Sequence, residues 1–148
     1  MRGKIGDRER LGHILDAIAE IESYTVNIDF KEFVANSMMR FASIKQIEII
    51  GEAANYITPE TKDLFSDIEW KQIIGMRHIL IHEYFGVDAN LVWQVIVSDI
   101  PVLKAAITRI AMSLEWMLNW IKSIKEIVSE QKTIRIRISP DQMLSKCT

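Results

Sequence analysis

The chain has 148 residues, enough for one domain with a sizeable core, and its 49% hydrophobic and 26% charged residues are the balance of a soluble globular protein. The formal charge of −2 gives no overall attraction to nucleic acid, so any contact with RNA or DNA must come from a local patch. The single cysteine, Cys147, excludes an internal disulfide framework. With neither a signal peptide nor a transmembrane run, we expect a cytoplasmic protein.

Glycine and proline are scarce, which predicts long helices. In residues 8–24 one helical face carries Leu11, Ile14, Leu15, Ile18 and Ile21. A second helix is predicted to begin at Asp29, since Glu32 follows it at the capping-box spacing, and to reach about Ile57 with a bend near "VANS".

Further starts follow along the chain. Thr58 before Pro59 has the pattern of a cap with proline at the first helical position. Ser66 and Glu69 have the spacing of another capping box, which predicts a third long helix over residues 67–84, stopped near Gly86.

The last third begins with a cap at Asp88. Pro101 either starts a new helix or kinks a continuing one. The apolar stripe then continues to about Glu130, after which "KTIRIRI" alternates with the spacing of a strand. We therefore predict an all-α, up-and-down helical bundle over residues 1–130 and a tail over residues 131–148 that is disordered or strand-like.

The stretch "GMRHILIHEYFGVD", residues 75–88, sets Arg77, His78, His82 and Tyr84 among apolar residues. On a helix Arg77 and Tyr84 share a face, whereas His82 lies about 140° round from Arg77. Either the helix loosens near His82, or the target is a cleft that reaches around the helix, such as one formed with a second copy.

Several chemistries are open to this cluster. His78 and His82 could share a cation, but the zincin pattern needs Glu after the first histidine, where Ile79 stands, so no metal is expected. No P-loop or G-x-G-x-x-G is present, and no cofactor is expected. Metal-free phosphodiester chemistry needs a proton carrier and a fixed cation, which histidine and arginine provide. Such residues near a helix end also serve structure alone, and this alternative stays open.

"RHILIHEY" matches R-x4-H-x-Y, and with "IIGEAANYI" upstream and "LVW" downstream the chain resembles the HepT toxins over about residues 8–115. These are the HEPN-domain partners of type VII HepT/MNT toxin–antitoxin pairs. The resemblance implies a HEPN-type bundle that forms a homodimer and cleaves RNA, as a metal-independent endoribonuclease, in a cleft at the dimer interface.

The resemblance also implies roles for individual residues. Arg77 and His82 match the catalytic pair, and Tyr84 matches the tyrosine that an MNT-type nucleotidyltransferase antitoxin modifies with AMP. The implied partners are RNA, this antitoxin and a second copy, with neither membrane nor DNA. Two alternatives stay open for Glu52: it orients Arg77 or His82, or it is a plain surface glutamate. Two also stay open for His78: it contributes to the cleft, or it lies on the helix surface.

A second hypothesis belongs to another class. In it the chain is a non-catalytic helical dimer that binds and regulates a nucleotidyltransferase, and the polar cluster is a docking or acceptor site. Trp70 and Trp93 are predicted to lie in the core and not to stack on RNA bases.

Overall fold

The computed structural model describes the backbone of residues 6–82 and 86–137, and the side chains of residues 6–78, 86–115 and 117–130. Within these residues the chain contains α-helices and one π-helical turn and no strand, which confirms the all-α prediction. The α-helices are α1 (Asp7–Thr25), α2 (Phe30–Ala35), α3 (Ser37–Asn55), α4 (Pro59–Leu64), α5 (Trp70–His82), α6 (Ala89–Gln94) and α7 (Ile100–Arg137). The chain divides into two units, Met1–Ala111 and Met112–Thr148.

The first unit is organised around α3, which contacts α1, α2, α5 and α6. Isoleucine at helical spacing is the commonest residue of its core. The fully buried members include Ile14, Ile18 and Ile21 of α1, Ile47 and Ile50 of α3, and Ile107 and Ile110 of α7. Burying one such side chain contributes about 1.5–3 kcal/mol, so this apolar contact dominates the stability of the bundle.

The predicted capping box at Asp29 is present. Asp29 Oδ1 accepts a hydrogen bond from Glu32 N at 2.8 Å, and Glu32 Oε2 accepts one from Asp29 N at 3.0 Å. The bend predicted near "VANS" is a break, because Asn36 ends α2 and its side chain accepts from Met39 N at 3.0 Å to start α3. The caps predicted at Thr58 and Asp88 are also confirmed.

The capping box predicted at Ser66 is wrong. Residues 65–68 form a turn in which Ile68 N donates to the Phe65 carbonyl at 3.2 Å and the Ile68 side chain is buried. The indole of Trp70 donates to the same Phe65 carbonyl at 3.1 Å, so α5 begins at Trp70. Tertiary burial of Ile68 and Trp70 therefore overrides the local capping pattern. The predicted end of this helix at Tyr84 lies outside the described residues.

The helical backbone continues across Pro101. A π-helical turn, Val95–Asp99, joins α6 to α7, and Ile100 N donates to the Val95 carbonyl. A proline ring inside a regular α-helix clashes with the carbonyl four residues earlier, and the wider π turn relieves that clash. Of the two alternatives for Pro101, a new helix or a kink in a continuing one, the chain therefore follows the second. A π turn stands where the kink was predicted.

The backbone remains helical through Arg137, although residues 132–138 alternate with strand spacing. A helix satisfies its backbone hydrogen bonds within itself, whereas a lone strand needs a neighbour. None of the described helices is both long and apolar enough to cross a membrane.

Candidate functional site at Arg77

The helices α3 and α5 approach each other most closely at Gly51. A Cβ atom added to Gly51 would lie 2.8 Å from Arg77 Cβ and 3.4 Å from the Ile73 carbonyl oxygen. Real Cβ atoms do not tolerate the shorter distance, so only glycine permits this spacing of the two helices. The approach places the base of the Arg77 side chain directly against the backbone of α3.

The next residue of α3, Glu52, forms an ion pair with Arg77. Arg77 Nη1 donates to Glu52 Oε2, and the side chains are 26% and 50% exposed. Arg77 Nε is buried and, among the described residues, has no hydrogen-bond partner. A guanidinium carries five N–H donors, and this ion pair uses one edge of it. The arginine is therefore held in place while retaining donors for an anion.

The structure brings Glu52 to Arg77. This agrees with the alternative in which Glu52 orients Arg77 and not with the alternative of a plain surface glutamate. His78 follows Arg77 on α5, and its side chain is exposed. His82 is the last residue of α5. The side chain of His82 and all of Tyr84 lie outside the described residues, so their roles stay predictions.

Regular helical geometry therefore applies between Arg77 and His82. The two Cα atoms differ by about 7.5 Å along the helix axis and by about 140° around it. The first explanation offered for the cluster, a helix that loosens near His82, concerns backbone that lies partly outside the described residues. The second explanation, a cleft that reaches around the helix, is compatible with this geometry.

The two tryptophans in question pack against other side chains. Trp70 is 8% exposed. The ring of Trp93 lies 5.1 Å from that of Phe33 and 6.2 Å from that of Phe30, measured between centroids. Their roles in packing agree with the sequence prediction.

A second polar cluster ties the start of α1 to the start of α4, and sequence reasoning missed it. The Asp7 carboxylate accepts hydrogen bonds from Thr58 N at 3.1 Å, Thr58 Oγ1 at 2.6 Å and Thr61 Oγ1 at 2.5 Å. Arg10 Nη1 lies 3.3 Å from Asp7 Oδ1. Burial raises the pKa of Asp7, but the hydrogen bonds from both threonines and the charge of Arg10 outweigh it and lower that pKa.

A cleft of about 540 Å³ lies elsewhere in the first unit, between the start of α5 and the first turns of α7. Its walls are largely apolar, and Arg109 Nη2 donates to Asp67 Oδ2 at 2.5 Å at its edge. The hydrogen bond and charge of Arg109 lower the pKa of Asp67. Arg77 does not line this cleft. In the described part of the chain, no three His, Cys, Asp or Glu side chains are grouped to hold a metal ion.

Similarity to known proteins extends over the part of the chain that contains Arg77 and Glu52. The model of the family described as "Ribonuclease HepT-like" matches residues 14–110, which include the Gly51 approach and the Arg77–Glu52 ion pair. No solved structure matches the chain significantly.

Three relatives illustrate the similarity. A protein of Thermococcus cleftensis named "Probable ribonuclease HepT" is 41% identical over 101 residues, covering 68% of this chain and 92% of that protein. A protein of Methanocaldococcus jannaschii, provisionally named as an RNase, is 42% identical over 91 residues, covering 62% and 84%. A provisionally named RNase of Caldanaerobacter subterraneus subsp. tengcongensis is 37% identical over 125 residues, covering 84% and 96%. The chain therefore belongs to the ribonuclease HepT-like family.

Proposed function

We propose that the chain is a metal-independent endoribonuclease, the toxin of a type VII toxin–antitoxin pair, acting through Arg77 and His82. The observation that carries the proposal is the arginine fixed by Glu52 at the α3–α5 contact with guanidinium donors left over. A histidine follows it five residues later, and the chain belongs to a family described as ribonucleases.

The proposed reaction needs neither a metal ion nor an enzyme nucleophile. The 2′-oxygen of RNA attacks the adjacent phosphorus, and the bond to the 5′-oxygen breaks, leaving a 2′,3′-cyclic phosphate and a 5′-hydroxyl. His82 removes the proton from the 2′-hydroxyl or supplies one to the departing 5′-oxygen, since imidazole titrates near neutral pH. Arg77 binds the non-bridging phosphate oxygens and stabilises the charge that grows on them.

The proposed site is a cleft between two copies. On a regular helix, positions 77 and 82 lie about 140° apart around the axis, which makes a single small target difficult to reach from one helix. A homodimer removes the difficulty, because Arg77 of one copy can act together with His82 of the partner subunit. In this arrangement Glu52 positions Arg77, and His78 is a secondary contributor on the exposed surface of the same helix.

RNA cleavage in the presence of EDTA tests the proposal. We expect purified protein to cut RNA with the chelator present and to leave cyclic phosphate ends, and His82→Ala to abolish the cleavage. His13→Ala changes an exposed histidine on α1 and is the matched control, which should keep full activity. Cleavage that survives His82→Ala would contradict the assignment. No cleavage, together with a tight complex with a nucleotidyltransferase, would favour the non-catalytic dimer.

Silencing by AMP is the second part of the proposal. The Tyr84 hydroxyl attacks the α-phosphorus of ATP on a nucleotidyltransferase antitoxin, and pyrophosphate leaves. The added AMP brings negative charge and bulk beside the cleft and so repels and blocks RNA. Intact mass after incubation with the antitoxin and ATP should rise by whole AMP units, and Tyr84→Phe should lose the addition. Tyr56→Phe changes an exposed tyrosine elsewhere in the chain and should keep the addition.

A further inference from the structure

Two apolar stripes follow one another along α7 with the same alternation of three-residue and four-residue steps. The inner stripe consists of Ile100, Leu103, Ile107 and Ile110. The outer stripe consists of Met117, Ile121, Ile124 and Val128. This alternation keeps the side chains of each stripe on one face of the helix and is the spacing of a coiled-coil seam.

The two stripes differ in burial. Members of the inner stripe are at most 6% exposed, whereas those of the outer stripe are 39–46% exposed. Leu118 and Ile127, which flank the outer stripe, are also exposed and widen its apolar surface. A seam of this regularity is typical of a helix that packs against another helix, and the described residues of this chain leave the outer stripe uncovered.

We propose that the outer stripe pairs with the outer stripe of a second copy of this chain. Two identical seams are self-complementary under a two-fold axis, which is the commonest symmetry of protein dimers. The half-exposed side chains of the outer stripe and its two flanking residues present several hundred Å² of accessible surface per copy. Pairing two copies therefore buries roughly 1,000 Å² in total, which is near the lower limit for a specific protein interface.

The charges around the outer stripe support a like partner. Between residues 117 and 130 the charged side chains are Lys122, Lys125, Glu126 and Glu130, all outside the stripe, and they include two of each sign. Two copies therefore meet without net repulsion between residues 117–130. A helix that lies on an anionic membrane surface carries an excess of cations on its polar face; residues 117–130 have no such excess, although Lys132, Arg135 and Arg137 follow on the same helix.

This pairing lies outside residues 14–110, which the family model matches, and it does not depend on the proposed nuclease activity. It assigns the second unit of the chain, Met112–Thr148, a role in self-association.

Molar mass in solution is the first test, with the full chain as the sample. Ile121→Glu with Ile124→Glu puts two charges into the seam, and we expect the dissociation constant of the pair to rise roughly 100-fold or more. Asn119→Glu with Ser123→Glu adds the same charge on the opposite face of α7 and should leave the mass unchanged. Circular dichroism should show equal helicity in both variants, which separates loss of pairing from loss of folding.

Site-specific cross-linking is the second test, and it stays informative if the chain also dimerises elsewhere. In a Cys147→Ser background, cysteines placed singly at Met117, Ile121, Ile124 and Val128 should form intermolecular disulfides under mild oxidation. Parallel helices cross-link at all four positions, and antiparallel helices only near the two-fold axis. Cysteine at Asn119 or Glu126, on the far side of the helix, should not cross-link.

The proposal is overturned if no seam position cross-links more than the controls, or if the charge pair in the seam changes neither the mass nor the cross-linking of a cysteine at Met117 or Val128. Binding of the wild-type protein, but not of the seam variant, to anionic lipid vesicles would overturn it in favour of a membrane surface. The proposal is supported if the wild-type protein and the seam variant both bind vesicles negligibly while their molar masses in solution differ.

Discussion

Two polar clusters join distant helices in this molecule, and they differ in how completely they are satisfied. Asp7 accepts hydrogen bonds from Thr58 and Thr61 and pairs with Arg10, so its carboxylate is surrounded by donors. Arg77 pairs with Glu52 and keeps a buried Nε that, within the described residues, has no partner.

The difference is the one expected between a structural cluster and the functional cluster that we propose at Arg77. A saturated carboxylate has no capacity left for a ligand, and its hydrogen bonds contribute to folding. A guanidinium that is fixed by one partner and remains partly exposed can offer its accessible N–H groups to an anion. Variants in the first cluster should therefore change stability alone, and variants in the second should change activity more than stability.

The largest effect is expected for Arg77→Ala. Loss of the fixed cation should lower RNA cleavage by about 100-fold to 1,000-fold, because the charge on the phosphate is no longer stabilised. The free energy of unfolding should change by less than about 1 kcal/mol, since Glu52 is half exposed and remains hydrated. Arg109→Ala removes an exposed arginine and is the control for cleavage. A large loss of stability with normal cleavage would place Arg77 in the structural class.

Gly51→Ala tests the close approach that holds Arg77. The new Cβ overlaps Arg77 Cβ, so α3 and α5 must separate, and denaturant unfolding should show a loss of about 1–3 kcal/mol. Gly75→Ala makes the same change on α5, where nothing lies within 4 Å of the added Cβ. That control should gain about 0.5–1 kcal/mol from helix propensity. Equal outcomes for the two variants would refute the close approach.

Asp7→Asn tests the saturated cluster. Loss of the charged acceptor should lower the free energy of unfolding by about 1–3 kcal/mol and leave RNA cleavage unchanged. Because the folded-state pKa of Asp7 is lowered, its contribution is complete above its ordinary value of 3.8 and is lost as the pH falls from there through the lowered folded-state pKa. The difference in free energy of unfolding between wild type and variant should therefore be constant from pH 7 to about pH 5 and shrink as the pH falls below 3.8.

Glu52→Gln keeps a hydrogen-bond acceptor and removes the charge that fixes Arg77. We expect cleavage to fall by roughly 10-fold with the same pH profile, since Glu52 positions Arg77 and exchanges no proton. A shifted pH profile would instead assign Glu52 a part in proton transfer.

Lys104→Gln should have the smallest effect. Lys104 Nζ lies 2.9 Å from both carboxylate oxygens of Glu22, but both side chains are about half exposed. Exposed ion pairs contribute about 0–1 kcal/mol, so unfolding should change by no more than that. The comparison shows that geometry alone does not mark an important polar contact.

Local signals in the sequence predicted a large part of the fold. The caps at Asp29, Thr58 and Asp88 depend on residues three or fewer positions away, and all are present. The start of α5 was predicted wrongly because burial of Ile68 and the indole hydrogen bond of Trp70 decide it.

Contacts between distant residues were harder to predict. Asp7 and Thr58 are 51 positions apart, and no pattern in the sequence links them. The pairing of Glu52 with Arg77 was anticipated as one of two alternatives for Glu52. The catalytic roles of Arg77 and His82 came from the family resemblance and stay predictions until cleavage is measured.

Gly51 has a consequence for genetics. Every missense change at a glycine codon adds at least a Cβ atom, and at this position the first atom added already meets Arg77. Under the proposed function, a cell would escape the ribonuclease by single-nucleotide changes at Gly51 as well as at the codons for Arg77 and His82. In a selection for survivors without the proposed antitoxin, substitutions at Gly51 should recur, whereas substitutions at Gly75 should not.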